Sequence, residues 1–254
     1  MKLRVLGCSG GIGGNLHTTS FLLDQDVLID AGTGVNELSL TELSKIDHIF
    51  ITHSHLDHIA CIPLLVDSVG FMRERPVTLY ARAEVLEILK THIFNWKIWP
   101  DFSEIPNAQH PFMRYEEMEV GETISLDGRK ITALPANHVV PAVGYHLDSG
   151  THSLVFSGDT TTNDALWKVV NTISNLKFLI IETAFSNSER DLAILSKHLC
   201  PCLLTEELGK FTRQAEIFIS HLKPGEMELI MDEINHSEHG HNAKMLLNNQ
   251  ILEL

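Results

Sequence analysis

The residue run that most restricts the fold of this chain is Thr52-His53-Ser54-His55-Leu56-Asp57-His58. It follows the apolar residues 47–52, which are predicted to form a buried strand. The run places four potential metal ligands at the carboxyl end of a strand, where open α/β sheets usually hold ligand sites: His53, His55, Asp57 and His58. Side chains so close in sequence cannot all bind one ion, but they can bind two if the chain turns after His55.

One segment cannot complete two coordination shells, so further ligands are expected downstream. Each of three candidates follows a predicted apolar strand: His138, Asp159 and His221. The strands are predicted at 129–135, 152–157 and 215–220. Each side chain taken alone also fits a structural role. The recurrence of a strand followed by a ligand predicts that all three belong to the same site as the first cluster.

Short apolar runs alternate with helical patterns along the chain. Strands are predicted at 2–7, 20–24, 27–30, 47–52, 76–80, 122–126, 129–135, 142–147, 152–157, 177–182, 215–220 and 250–254, with a β-meander in the middle. Helices are predicted at 38–43, 57–69, 82–94, 163–173, 188–197, 201–210 and 224–234. Because each β-rich half is followed by helices, we expect an α/β fold with two facing sheets and helices outside, as a single domain over 1–254.

The segment 92–115 stands apart because its aromatic and proline residues show little periodicity. It contains Trp96, Trp99 and Phe102. One interpretation is a lid or substrate loop whose rings supply a stacking surface for a purine base. The alternative is a surface excursion packed by its own aromatic side chains.

Two further stretches are interpreted as connections. Residues 7–15 are rich in glycine and follow the first strand, but they lead to another strand rather than a helix. We therefore reject a dinucleotide-binding loop and expect a tight loop at the edge of the metal site. The histidine-rich residues 235–241, with His236, His239 and His241, are interpreted as a polar connection to the final strand, with an accessory metal site as the alternative.

Composition restricts the environment and the partners. The 254 residues contain no stretch of about 18 uncharged apolar residues, so we expect no membrane helix and a cytoplasmic location. The formal charge of −14 argues against a protein that grips long nucleic acid. A small anionic substrate stays open, because bound metal ions can invert the local field. The four cysteines are interpreted as structural thiols: Cys8, Cys61, Cys200 and Cys202.

The order of the candidate ligands resembles the metallo-β-lactamase superfamily. The matching residues are His53-x-His55-x-Asp57-His58, then His138, Asp159 and His221, with Asp30-Ala31-Gly32 upstream. The resemblance implies a four-layer αβ/βα sandwich with a dinuclear site at one edge of the sheets. It implies that His53, His55 and His138 hold a first metal, and that Asp57, His58 and His221 hold a second. Asp159 then bridges the two metals, and Asp30 orients the metal loop from behind.

The mixed nitrogen and oxygen ligands suit two divalent ions. We expect zinc, and manganese and iron fit the same ligands. Two ions about 3.5–4 Å apart can hold a hydroxide between them and lower its pKa toward neutrality. Asp57 can accept a hydrogen bond from that hydroxide and orient it. Hydrolysis of this kind requires no protein nucleophile.

Two features narrow the reaction toward a phosphodiester. Residues 55–58 with the apolar residues 62–65 resemble the class II cyclic-nucleotide phosphodiesterases, although Cys61 stands where their signature has a small residue. Residues 181–185 and 196–199 resemble paired elements of the phosphodiesterase branch. By that resemblance, His198 protonates the leaving oxygen and Glu182 supports it, as cleavage of a P–O bond requires. The alternative is that His198 caps a helix and Glu182 is a surface charge.

The leading hypothesis is therefore hydrolysis of 3′,5′-cyclic nucleotides (cAMP or cGMP) to 5′-monophosphates. The acidic charge favours a small phosphodiester over RNA, as does the short hairpin between His138 and Asp159, near where tRNA-processing relatives carry a basic arm. The alternatives are a ribonuclease Z-like tRNA 3′-processing endonuclease, an ester, thioester or lactam hydrolase, and a metal-binding protein without activity. The resemblance is compatible with a homodimer, because relatives in this branch often form one, but the sequence does not fix the oligomeric state.

Overall fold

The computed structural model describes residues 1–237 and 242–254. Its strands in chain order are β1 (Lys2–Gly7), β2 (Ser20–Leu23), β3 (Val27–Ile29), β4 (His48–Phe50), β5 (Val77–Ala81), β6 (Met113–Glu117), β7 (Thr123–Leu126), β8 (Arg129–Pro135), β9 (Val143–Asp148), β10 (Ser153–Phe156), β11 (Leu176–Glu182), β12 (Glu216–Ser220), β13 (Lys244–Met245) and β14 (Ile251–Glu253). The α-helices are α1 (Leu40–Leu43), α2 (Leu56–Ile59), α3 (Ile62–Val69), α4 (Ala83–His92), α5 (Asp164–Val170), α6 (Arg190–Ser196), α7 (Pro201–Leu208) and α8 (Met227–Asn235).

The strands form two mixed sheets. The first has the order β14-β1-β2-β3-β4-β5-β6 and the second β13-β12-β11-β10-β9-β8-β7. Strands β7 to β10 pair antiparallel in succession, which confirms the predicted meander. Since β10, β11 and β12 are parallel and β8 and β10 both pair antiparallel with β9, strands β8, β10, β11 and β12 all point the same way. Their carboxyl ends therefore lie at one edge of the sheet.

Both faces of the central strands are buried, which is why β3, β10 and β11 are nearly continuous apolar runs. In β11, Phe178 and Ile180 pack between the sheets, whereas Leu179 and Ile181 pack against the helices outside. In β2 of the first sheet, Leu22 packs against the helices outside, whereas Phe21 and Leu23 pack between the sheets. Three apolar interfaces thus separate four layers, and the predicted αβ/βα sandwich is confirmed.

The single helix predicted at 57–69 is two helices, α2 and α3. The Cys61 amide donates to the Ala31 carbonyl at 2.9 Å and so does not continue the hydrogen bonding of α2. Pro63 in the first turn of α3 has no N–H to donate to the preceding turn. This hydrogen bond connects the end of α2 to the residues that follow β3. The apolar periodicity of residues 57–69 does not predict such a long-range contact.

The structure corrects the interpretation of 92–115 as a lid. Residues 113–115 belong to β6, which runs parallel to β5 with Met113 opposite Val77, at the amino end of both strands. The Phe102 carbonyl accepts the Met113 amide at 3.2 Å, so the segment is anchored at the edge opposite the carboxyl ends. Phe102 is 3% exposed in the core, Trp99 packs against the same apolar cluster, and Trp96 is exposed. Phe102 is therefore a packing residue, not a stacking surface for a base.

Replacing Phe102 by alanine is expected to lower the free energy of unfolding by about 3–5 kcal/mol, because a buried ring leaves a cavity. Equilibrium unfolding in denaturant measures this change. Trp96→Ala is the control, since Trp96 is 59% exposed and its loss should cost little stability. A Phe102→Ala protein of unchanged stability but with weakened substrate binding would restore the lid interpretation.

The carboxyl-terminal region agrees in part with the sequence. The final strand is present as β14, whereas the two-residue edge strand β13 was not predicted. His236 follows α8, and its Nδ1 lies 2.8 Å from the Asp232 carbonyl oxygen. His239 and His241 fall outside the described residues, so the interpretation of that stretch stays a prediction. Among the described helices, none is long and apolar enough to cross a membrane.

Candidate active site

The strand ends bring the seven predicted ligands together in two groups. The first group is His53, His55, His138 and Asp159, and the second is Asp57, His58, Asp159 and His221. Within each group, one nitrogen or oxygen atom of every side chain lies within 4.8 Å of the others. Asp159 belongs to both groups, with its Oδ2 3.6 Å from His53 Nε2 and 3.3 Å from His58 Nε2. The structure thus places a shared carboxylate between two sets of imidazoles.

Tight turns after the strands aim these side chains. Gly158 has φ +60°, and a Cβ there would lie 2.5 Å from the Val143 carbonyl oxygen, so only glycine fits before Asp159. His221 has φ +64°, a conformation that side chains rarely adopt and that is found at functional sites. A Cβ on Gly10 would lie 2.4 Å from the His221 carbonyl oxygen. The glycine loop therefore packs on the site, where the sequence placed it.

Asp30 holds the metal loop from behind, as the resemblance implied. It is fully buried, and its two oxygens accept the Thr52 amide at 2.7 Å and the Thr52 hydroxyl at 2.8 Å. His58 Nδ1 lies 2.7 Å from Asp30 Oδ2 and donates to it. This hydrogen bond fixes the orientation of the His58 ring and turns its Nε2 toward Asp57 and Asp159.

Asp30→Asn is expected to weaken metal binding about 10- to 100-fold, because the amide cannot hold the His58 ring as a carboxylate does. Competition with a chelator of known affinity measures the change. Asp67→Asn on the exposed face of α3 is the matched control. Equal metal affinity in the Asp30 variant and the wild type would show that Asp30 supports only the fold.

The chemistry of the donor atoms fits bound metal. His53 Nε2, His58 Nε2 and His221 Nδ1 are buried and have no hydrogen-bond partner in the part of the chain that the structure describes. Burial lowers the pKa of His138 to about 4 and that of His221 to about 3, so both are neutral, the form that binds metal. His55 Nδ1 and His138 Nε2 lie 3.2 Å apart, close to the roughly 3.4 Å between two nitrogens on a tetrahedral zinc.

Protonation of the second group follows from the carboxylates around it. Burial acts against the charged form of His58, but the charges of Asp159 and Asp30 raise its pKa well above the ordinary value. Burial likewise opposes the ionised form of Asp159, yet His221 and His58 hold its pKa well below the usual range. The shared carboxylate is therefore ionised and attracts positive charge into the cluster.

The predicted pair of Glu182 and His198 lies beside these ligands. Glu182 ends β11 fully buried, and its Oε1 is 2.7 Å from His198 Nδ1 and accepts the Thr160 amide at 3.1 Å. The His198 ring stacks on His221 at 5.1 Å between centroids, and Asp159 completes a third close group with the pair. Burial acts against the charged form of His198, but Glu182 and Asp159 raise its pKa. The alternative interpretation of Glu182 as a surface charge is wrong, because Glu182 is buried.

Sequence reasoning missed three residues that hold the site. Thr52 links Asp30 to the loop, its hydroxyl also lying 3.0 Å from His53 Nδ1. Lys197 has φ +54°, and its carbonyl oxygen accepts a hydrogen bond from His138 Nδ1 at 3.1 Å. The Lys197 ammonium donates a hydrogen bond to the His138 carbonyl oxygen at 3.2 Å. The positive charge of Lys223 acts on His198 and opposes the rise in the pKa of that ring. A positive φ at a lysine and contacts across about 60 residues leave no local signal in the sequence.

A four-layer sandwich that gathers histidine and aspartate ligands at one edge defines the metal-dependent hydrolases of the metallo-β-lactamase fold. A family profile described as "Beta-lactamase superfamily domain" matches residues 25–238. The chain belongs to this superfamily.

Individual relatives are similar over different shares of the chain. A "Probable 3',5'-cyclic-nucleotide phosphodiesterase" of Yersinia pestis is 26% identical over 276 residues, covering 88% of this chain and 78% of the relative. A "Ribonuclease Z" of Archaeoglobus fulgidus is 30% identical over 154 residues, 57% of this chain and 46% of the relative. The crystal structure of unliganded yeast PDE1 superposes with a TM-score of 0.82 at 17% identity, covering 100% of this chain and 99% of that one, which shows the shared fold.

Proposed function

We propose that the protein is a dinuclear-metal phosphodiesterase that hydrolyses 3′,5′-cyclic nucleotides to 5′-monophosphates. The observation that carries the proposal is the buried Glu182–His198 pair, hydrogen-bonded at 2.7 Å and set against the ligand cluster. Hydrolysis of a thioester does not call for a histidine held at that position by a carboxylate, because a thiolate leaves without a proton. A P–O bond to an alkyl oxygen does, because the departing alkoxide needs a proton.

Seven side chains would hold two divalent ions, and zinc suits their nitrogen and oxygen atoms. His53, His55 and His138 would bind the first ion, and Asp57, His58 and His221 the second. Asp159 would serve both. When bound, such ions supply a nucleophile near neutral pH and neutralise charge that develops on the phosphoryl oxygens.

The chain's own groups divide the remaining work. Asp57 is 29% exposed between His58 and His221, so it faces the opening and can accept a hydrogen bond from the attacking water. The attacking water loses one proton to solvent as its oxygen adds to phosphorus, and the bond from phosphorus to the 3′ oxygen breaks. His198 donates its Nε2 proton to that oxygen, while Glu182 accepts a hydrogen bond from the Nδ1–H group and keeps the ring oriented.

The opening of the site suits a small substrate with an apolar part. Leu56 and Val139 each adjoin a ligand in sequence and are 65% and 48% exposed. These side chains offer a nucleobase an apolar contact at the rim, a role that the core position of Phe102 rules out for that ring. The cyclic-nucleotide phosphodiesterase relative, similar over most of both chains, supports the same substrate class.

A ribonuclease Z-like endonuclease is the second candidate. It is favoured by the higher identity to the archaeal relative, although that similarity covers less than half of the relative. The net charge of −14 argues against tight binding of a long polyanion. Between His138 and Asp159, near where tRNA-processing relatives carry a basic arm, the structure has the short β9–β10 hairpin. This hairpin favours a small phosphodiester over RNA.

The experiment that tests the proposal is hydrolysis of cAMP and cGMP by zinc-loaded protein, with the products separated by chromatography. We expect 5′-monophosphates and loss of turnover after chelation. Precursor tRNA is assayed in parallel at several salt concentrations. Cleavage of tRNA without turnover of either cyclic nucleotide would replace the first candidate by the second. Hydrolysis of thioesters or lactams alone would refute phosphodiester chemistry.

A further inference from the structure

Lys223 is half-buried and lies two residues after the candidate ligand His221. Its ammonium donates to the Gly10 carbonyl oxygen at 2.7 Å and sits 5.8 Å from the centroid of the Phe185 ring. The Phe185 ring in turn lies 5.7 Å from the His198 ring. The lysine therefore bridges the glycine loop and the side chain that packs on the proposed acid.

The charge of Lys223 has no carboxylate partner within residues 1–237 and 242–254. An ammonium has three N–H donors, and the Gly10 carbonyl takes one of them. Lys197 differs, because its ammonium already bonds Asn137 Oδ1 and the His138 carbonyl oxygen, both at 3.2 Å. Within the part of the chain that the structure describes, the other donors of Lys223 are therefore free to bind a ligand.

We propose that Lys223 binds a non-bridging oxygen of the substrate's phosphodiester and, after cleavage, the phosphate of the product; this rests on the proposed phosphodiesterase function. An ammonium is a compact charge that binds phosphate oxygens strongly. The Lys223 ammonium and the His198 ring both lie against Phe185, at 5.8 and 5.7 Å from its centroid, so Lys223 can hold the anion while His198 faces the leaving oxygen. The contact favours anionic phosphoryl substrates over neutral esters.

Three variants of the full-length, zinc-loaded protein test the proposal. Lys223→Met keeps the apolar stem on Phe185 and removes the charge, and Lys223→Arg keeps the charge. Lys177→Met is the matched control, because Lys177 also donates to a carbonyl, that of Glu253 at 2.7 Å, and also lies over a phenylalanine, Phe178, at 5.0 Å. Lys177 stands near the start of β11, whose far end carries Glu182.

The measured quantities are the dissociation constants of inorganic phosphate and 5′-AMP, from calorimetry, together with KM and kcat for cAMP. For Lys223→Met we expect phosphate and 5′-AMP to bind about 10- to 100-fold more weakly and KM to rise similarly. Lys223→Arg should restore most of the binding. Lys177→Met should match the wild type in every measurement.

The outcomes separate this proposal from the proposed function. Unchanged phosphate and 5′-AMP binding in Lys223→Met, with normal cAMP turnover in the wild type, would overturn the role of Lys223 alone. A wild type that neither cleaves phosphodiesters nor binds 5′-AMP would overturn both. A loss that follows metal content or melting temperature, and that Lys223→Arg does not restore, would identify a structural role and overturn the contact.

Discussion

Asp159→Asn is expected to reduce kcat/KM for a cyclic nucleotide on the order of a thousandfold, about 4 kcal/mol of transition-state stabilisation. The carboxylate is shared by both ligand groups, with oxygens 3.6 Å from His53 Nε2 in the first group and 3.4 Å from His221 Nδ1 in the second. An amide of the same shape carries no charge, so both groups lose their common anion. No other side chain of the cluster affects both groups in this way among the described residues.

Two measurements together test this expectation: bound metal per chain after dialysis, and steady-state turnover at several metal concentrations. Asp164→Asn is the matched control, because Asp164 is an exposed carboxylate a few residues downstream and bonds only Lys210. A variant that retains full metal content and activity would show that Asp159 is not a shared ligand. A loss restricted to one of two bound ions would assign Asp159 to one group.

Much of the site could be predicted because its ligands obey a local rule. Each segment that carries ligands follows an apolar strand, and strands are recognisable from a few residues of β-branched and apolar sequence. The edge on which His138, Asp159 and His221 meet then follows from the common direction of β8, β10 and β12. The clustering of the seven predicted ligands in the structure reflects that rule, whereas their roles toward metal stay proposals.

The remainder depends on contacts between residues far apart in sequence. The break between α2 and α3 depends on the hydrogen bond from Cys61 to the Ala31 carbonyl. The spacing of apolar residues around residue 60 does not predict this bond. The burial of Phe102 depends on the pairing of β6 with β5. The alternation of apolar and polar residues in Met113 to Glu117 is too weak to predict that strand from the sequence. Lys197 and Lys223 are ordinary surface residues by sequence, and only the turns after α6 and β12 bring them to the site.

His198→Ala is expected to lower kcat for cAMP about 10²- to 10⁴-fold, the usual contribution of a positioned general acid. The size of the loss should depend on the leaving group, which distinguishes proton donation from a structural role. A 3′ alkoxide needs the proton, whereas p-nitrophenolate leaves without one. Turnover of bis(p-nitrophenyl) phosphate by the same variant should therefore fall only a few-fold.

Two further variants distinguish proton donation by His198 from a structural role of its ring. His152→Ala removes an exposed histidine from the β9–β10 hairpin and should leave both substrates unaffected. Glu182→Gln should show the same dependence on the leaving group as His198→Ala, with a smaller loss of kcat. The neutral amide accepts a weaker hydrogen bond from His198 Nδ1 than the carboxylate does, so it orients the ring less well. Equal losses on both substrates would assign His198 to packing against His221, which lies 5.1 Å away, and the chemistry would then need another proton donor.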